Sequence, residues 1–179
     1  MKKFYAICLC AMLCITATGC SHFSGNSASG SDVTYSYKNE QITLPASPKK
    51  VITLSTPLLN MTYAIGGSSI ARPTTSNPIP EAAKELPELG QVSHINMETL
   101  VGLKPDLVLG EKGQNTKFES LLQSNKIPYL LINYDGINDN VPLLKLLGQI
   151  FNKKENADKI IKEYEDGVSK AKKESSQLP

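Results

Sequence analysis

The chain has 179 residues, with 19 Lys+Arg, 17 Asp+Glu, 40% apolar residues, two His, four Cys and no Trp. That length allows one domain, or one lobe of a larger protein, with a real core, and a charged fraction of 20% argues against wholesale disorder. Without Lys2 and Lys3 the charges balance at 17 against 17, which disfavours a protein living on phosphate contacts. The four Cys fall at positions 8, 10, 14 and 20, so the body holds no disulfide framework, CxxC zinc site or cysteine nucleophile.

Met1-Lys2-Lys3 followed by the apolar run Phe4 to Ile15 has the form of an export signal, too short to span a bilayer. It closes on Ala17-Thr18-Gly19-Cys20, which resembles the lipobox of bacterial lipoproteins, in which the Cys sulfur is diacylated. An ordinary signal peptide with a chance Cys is the competing reading. Ser21 to Asp32 is rich in Ser, Gly and Asn and suits a flexible tether. The expected organisation is a signal peptide over 1–19 and a lipidated Cys20 with its tether over 20–32. The chain would then sit lipid-anchored on the extracytoplasmic face of a membrane.

Val33 to Tyr37 and Gln41 to Leu44 flank Lys38-Asn39-Glu40 and read as a hairpin ending at Pro45. Val51 to Ser55 is a β-branched strand. Thr56 as N-cap and Pro57 then open a helix that Gly66-Gly67 stops. Ser68 to Ala71 suggests a short strand, and Arg72 to Leu89 an irregular loop with a helical turn at Pro80 to Lys84. Asn96 caps a helix through Leu100, Val101 and Leu103, ended by Lys104-Pro105. Asp106 to Gly110 is a buried strand, and Thr116 with Glu119 forms a capping box before Phe118, Leu121 and Leu122. Ile127 to Asn133 is the next strand; Leu143, Leu146, Leu147 and Ile150 mark an amphipathic helix. Asn152 with Glu155 starts a long last helix striped by Ala157, Ile160, Ile161, Tyr164, Val168 and Ala171, with charges on its other faces. Strands alternating with helices predict a parallel sheet covered on both faces. The expected fold is α/β: a three-layer doubly wound sheet, mostly parallel, with an N-terminal hairpin and a long C-terminal connecting helix.

Enzyme chemistry finds few footholds. His22 lies in the tether, which leaves His94 as the only body histidine, too few for a His-based zinc cluster. No G-x-S-x-G elbow, Walker loop or G-x-G-x-x-G occurs. Acid pairs such as Glu85/Glu88 and Glu163/Glu165/Asp166 read as solvated faces.

Several stretches together resemble one family. They are Ser47-Pro-Lys-Lys-Val-Ile-Thr-Leu-Ser55, Glu88-Leu-Gly-Gln-Val92, Asn96-Met-Glu-Thr-Leu-Val-Gly-Leu-Lys-Pro-Asp-Leu-Val108, Asn125-Lys-Ile-Pro-Tyr129 and Leu147-Gly-Gln-Ile-Phe-Asn-Lys-Lys-Glu-Asn-Ala157, the most specific piece being Met97-Glu-x-Leu-x-x-Leu-Lys-Pro-Asp-Leu-Val108. In this order and spacing they are similar to the solute-binding proteins of ABC importers for iron-siderophores, haem and vitamin B12. That resemblance implies two α/β lobes joined by one rigid helix, with ligand in the cleft between them, and no catalysis. Family members are longer, so the expected organisation is an N-terminal lobe over 33–151, an interlobe helix over 152–174 and a tail over 175–179, without the second lobe. The implied partners are an ABC permease, its ATPase and a small-molecule iron complex or corrinoid, with no nucleic acid. No cofactor is implied, the ligand being haem, a ferric siderophore or cobalamin. A truncated product that folds but binds no ligand tightly is the competing reading.

Ligands of doubly wound sheets bind beyond the carboxyl ends of the strands. The candidate ligand-binding residues are therefore Thr56, Arg72, Thr74, Thr75, Ser76, Ser93, His94, Glu111, Lys112 and Asn115. Arg72, in a loop similar to one in haem-binding members, suits a propionate or siderophore carboxylate; an exposed loop arginine is the alternative. His94 is a candidate axial ligand for haem iron through a neutral imidazole, against a plain surface histidine. By resemblance Glu98 docks on an arginine of the permease. Its place in the first turn of a helix is equally explained by the macrodipole.

Overall fold

The computed structural model describes residues 32–177. The signal peptide, Cys20 and the tether through Ser31 lie outside the described residues, as do Leu178 and Pro179 of the expected tail.

Strands β1 (Asp32–Tyr37) and β2 (Glu40–Pro45) pair antiparallel, with Tyr35 opposite Ile42. Asp32, placed by sequence at the end of the tether, already pairs with Pro45. Tyr35, Tyr37 and Leu44 turn their side chains into the core, where they meet helix α5 (Asn140–Ile150).

The central sheet is parallel, in the order β3 (Val51–Thr53), β4 (Leu107–Glu111), β5 (Tyr129–Ile132). Successive side chains of a strand face opposite sides, and here both sides are apolar. Val51, Leu107 and Leu109 pack with Leu58 of α1 (Thr56–Ala64), with Leu143, Leu146, Leu147 and Ile150 of α5, and with Ala157 and Ile161 of α6 (Lys154–Ser175). Ile52 and Val108 pack on the other face against Leu89, Ile95, Leu100 of α2 (Met97–Gly102) and Leu122 of α4 (Glu119–Ser124). Two cores with a sheet between them make the expected three layers.

Four local expectations are corrected. Ser68 to Ala71 lies beside β3 without becoming a strand. Ile70 N–H bonds the Val51 carbonyl, but the Thr53 N–H goes to the Ser69 hydroxyl (3.0 Å), and the ladder stops there. The cap of α1 is Ser55, whose extended backbone lets its Oγ accept from Leu58 N–H, so Thr56 is the first helical residue and is buried. The capping box at Thr116 does not form. Residues after β4 turn at once into a helical turn, α3 (Lys112–Asn115), followed by a 3-10 turn over Thr116–Phe118. The Thr116 hydroxyl donates back to the Lys112 carbonyl at 2.6 Å, which removes it as a cap. Asn152 closes α5 instead of opening α6: its φ is 53° and its N–H bonds the Gln149 carbonyl.

Helix α6 is rooted by Ala157, which packs so closely on Gly148 that a Cβ there would lie 2.6 Å from the Ala157 Cβ. Asn156 adds a bond from its Nδ2 to the Ile65 carbonyl (3.0 Å). The stripe then loses cover outward. Ala157 and Ile161 are buried, Tyr164 and Val168 are half-buried, and Ala171 is exposed.

Candidate functional site

The C-terminal ends of the parallel strands open on a loop, residues 89–96, that is fastened from several sides. Gly90 has φ +97°, and a Cβ there would lie 2.5 Å from the His94 carbonyl oxygen, so only glycine lets the loop fold back. Asn96 N–H bonds the Leu89 carbonyl and His94 N–H the Gln91 carbonyl, each at 2.7 Å, while the Gly90 carbonyl accepts from Thr74 N–H at 2.8 Å. Asn115 is fully buried: its Oδ1 accepts from Glu111 N–H (2.9 Å) and its Nδ2 donates to the Val92 carbonyl (3.0 Å). Lys117 donates its ammonium to the Ser93 carbonyl.

Within this frame Ser93 Oγ lies 2.8 Å from His94 Nδ1. The imidazole stands exposed beside an open depression of about 610 Å³, whose lining also includes Glu88, Leu89, Ile95, Lys117 and Phe118. Of the ten predicted ligand residues, only Ser93 and His94 line it. Lys117 and Phe118, with the ammonium 5.3 Å from the ring centre, escaped the sequence reading because both were assigned to a capped helix.

Arg72 is spent internally. Its Nη2 donates to Glu88 Oε1 at 2.6 Å and to the Lys84 carbonyl at 3.1 Å, and its Nε is buried without a partner. Thr74 Oγ1 donates to the other Glu88 oxygen at 2.6 Å. The Thr74 hydroxyl, then the Arg72 guanidinium, hold the Glu88 carboxyl below the usual carboxylate range. Glu88, read from sequence as a solvated acid, thus joins two predicted ligand residues. Thr75 Oγ1 accepts from Asn77 N–H in a local turn, and Ser76 is exposed. Thr56 is buried at the start of α1, and Asn115 is a fastener with one hydrogen bond at each end of its amide.

The segment after β5 was missing from the sequence reading. Asp139 is buried there, 2.6 Å from Lys38 Nζ, and accepts from Asp135 N–H at 2.7 Å. These two bonds hold its carboxyl below the usual range, and the Asp139 hydrogen bond raises the Lys38 amine above its own. Here the hairpin is tied to the end of the sheet. A second cavity of about 140 Å³ lies between them, lined in part by Tyr37 and Lys112, so Lys112 stands apart from the His94 group. Glu98 is exposed in the first turn of α2, whose cap is Asn96 through Oδ1 and Thr99 N–H (3.0 Å). No helix among the described residues is long and apolar enough to cross a membrane.

Comparison with known proteins agrees with this architecture. The chain is 26% identical over 129 residues to an ABC transporter substrate-binding lipoprotein of Bacillus subtilis, YvrC, itself uncharacterised, covering 69% of this chain and 41% of that one. It is 37% identical over 76 residues to a vitamin B12-binding protein of Yersinia pestis, covering 41% of this chain and 27% of the relative. The siderophore-binding protein BauB, solved with acinetobactin and ferric iron, superposes with a TM-score of 0.67 at 20% identity, over 83% of this chain and 56% of BauB. Staphylococcus aureus IsdE, solved with haem, gives 0.64 at 19% identity, over 72% and 50%. These two share the fold. The chain spans less than half the length of the curated relatives it matches. The profile described as Periplasmic binding protein matches residues 51–179, and the chain belongs to that family of solute-binding proteins.

Proposed function

We propose that the chain is the ligand-capturing component of an ABC importer, taking up an iron complex, haem or a ferric siderophore, outside the cell and handing it to a permease. The observation that carries this reading is the braced loop at the carboxyl ends of the strands, with the open depression beside it. Residues 33–151 serve as one lobe, α6 as the connecting helix, and the chain catalyses nothing; energy comes from a separate ATPase. Cys20 carries the lipid that keeps the domain at the membrane, and Cys20→Ser is expected to release it from the membrane fraction.

The test is titration with haemin, a ferric siderophore and cyanocobalamin, followed calorimetrically. Saturation at one equivalent by an iron complex supports the reading, and only unsaturable uptake contradicts it. A corrinoid is the second reading, favoured by the 37% identity to a vitamin B12-binding protein. Saturation by cyanocobalamin alone would select it. Glu98, exposed in the first turn of α2, docks the permease; Glu98→Ala is expected to leave ligand binding intact while weakening permease association.

A further inference from the structure

The amino ends of the parallel strands, opposite the His94 loop, form a second surface. Lys49 and Lys50 precede β3, Lys104 precedes β4, Lys126 precedes β5, and Lys153 and Lys154 stand where α5 ends and α6 begins. Hydrogen bonds tie these pieces into one pole. Asp106 N–H bonds the Lys50 carbonyl at 3.1 Å, the Lys50 ammonium donates to the Leu103 carbonyl, and Asn156 reaches Ile65 at the end of α1. All six lysines are exposed, and among the described residues none forms an ion pair. The carboxylates nearby are fewer: Asp32, Glu155, and Asp106, which accepts from the Lys49 and Lys50 N–H groups at 2.7 and 2.9 Å. Helix ends account for part of this charge, since α2 and α4 end just before Lys104 and Lys126, where a cation is favoured. They do not account for Lys49 and Lys50, which follow a hairpin, nor for Lys154 in the first turn of α6, where the macrodipole opposes a cation. In a chain whose charges nearly balance, the lysines are gathered by placement.

Asp32 pairs with Pro45, a few residues before Lys49, so the polypeptide enters the body beside this pole. We propose that the lysine pole rests on the anionic phospholipid surface of the membrane to which the amino terminus is tethered. Residues 21–31 reach about 40 Å at full extension, enough slack for the pole to touch the bilayer and to leave it. A domain resting this way turns the carboxyl ends of its strands, with the open depression, away from the bilayer and toward arriving ligand. Each lysine near an anionic surface strengthens the contact about fivefold, and salt screens it within a Debye length. The contact is therefore reversible, and the domain is free to turn when it meets the permease. This inference rests on the reading that the chain is held to the membrane by its amino terminus.

The experiment reconstitutes the full chain, through its own amino terminus, on vesicles of phosphatidylcholine alone and of phosphatidylcholine with phosphatidylglycerol. Lysine acetylation by a reagent that does not cross the bilayer is then followed by mass spectrometry. The expected result is slowed acetylation of the six pole lysines on the anionic vesicles only, relieved at about 1 M salt, where the Debye length is about 3 Å. Lys170, Lys172 and Lys173, at the far end of α6, should react equally on both vesicles. Lys49→Gln, Lys126→Gln and Lys154→Gln together should weaken the contact about fivefold for each lysine removed and restore the reactivity of Lys50, Lys104 and Lys153. Removing the same charge through Lys170→Gln, Lys172→Gln and Lys173→Gln should leave the protection unchanged. If the pole lysines react equally on both vesicles, or if protection falls on Lys170 to Lys173 instead, the inference is overturned while the anchorage stands. If the chain associates with neither vesicle, the anchorage reading and the inference fall together.

Discussion

Asn115 donates to the Val92 carbonyl across 23 positions of sequence while accepting from Glu111 N–H only four residues back. One fully buried amide therefore welds the end of β4 to the loop that presents His94. Gly110 makes room for it, since a Cβ there would come 2.8 Å from Asn115 Oδ1. Asn115→Ala removes both bonds and leaves the Glu111 N–H and the Val92 carbonyl without partners. Such groups cost about 1–3 kcal/mol each when buried. The expected result is a loss of about 2–4 kcal/mol in urea unfolding, with loosened hydrogen exchange at Val92 to His94. An unchanged midpoint would show that water replaces the amide without loss.

Gly148 sets how closely α5 and α6 approach. Gly148→Ala puts its new methyl 2.6 Å from the Ala157 Cβ, so the helices must part. Overpacking of this kind costs about 1–3 kcal/mol, partly offset by the better helix propensity of Ala. Thermal unfolding of the single variant and of Gly148→Ala with Ala157→Gly checks the origin. The second change is expected to recover most of the packing loss.

Acid should weaken the fold through two carboxylates. Glu88 is held below the ordinary carboxylate range by Thr74 and Arg72, and Asp139 by Lys38 and the Asp135 N–H. Because both values are lowered on folding, the stabilisation is full above the ordinary carboxylate range and is lost as pH falls through the folded values. Lys38 has the opposite sign: its amine is raised, so its share is full below the ordinary lysine range and is lost as pH rises through the folded value. Melting midpoints followed from neutral into acid check this. Glu88→Gln should flatten the acid slope, and a slope identical to wild type would exclude the Arg72–Glu88–Thr74 cluster as its source. Added salt should reduce the contribution of the partly exposed pairs.

Protection along α6 should be graded. Ile161 is buried, Tyr164 donates its hydroxyl to the Ile137 carbonyl at 3.0 Å, and Val168 is only half-buried. Burying an Ile or Val side chain is worth about 1.5–3 kcal/mol, so exchange is expected to be slow to about Tyr164 and fast from Ser169 to Ser175. Uniformly slow exchange to Ser175 in a monomer would contradict the contact pattern.

The layers were legible in the sequence because apolar periodicity reports burial directly. Val51 to Leu54 is buried throughout with Thr53 as its one polar residue, and Leu107 to Leu109 is apolar without interruption, as strands covered on both faces must be. The stripe from Ala157 to Ile161 likewise foretold which face of α6 is held. The site was less legible. Asn115 and Arg72 are polar residues in the right loops, but which partner consumes a donor depends on atoms distant in sequence. The pairing of Arg72 with Glu88 bridges 16 positions and that of Lys117 with the Ser93 carbonyl 24, and no periodicity marks either. Ser69 shows the same limit within the sheet, since a hydroxyl can replace a ladder bond without changing the residue pattern. His94 was visible as the lone body histidine; that its Nδ1 lies 2.8 Å from Ser93 Oγ was not.

Helix α6 has 22 residues, a rod of about 33 Å gripped near one end. Its grip begins at the bare Cα of Gly148 against the Ala157 methyl and the Asn156 bond to Ile65, and continues through buried Ile161 to the Tyr164 bond to Ile137. Geometry then supplies gain: a tilt of about 5° at Ala157 carries the last turn, about 27 Å away, by about 2 Å. The glycine consequently sets direction as well as packing, since the volume of one side chain at position 148 fixes the angle at which the rod leaves the body.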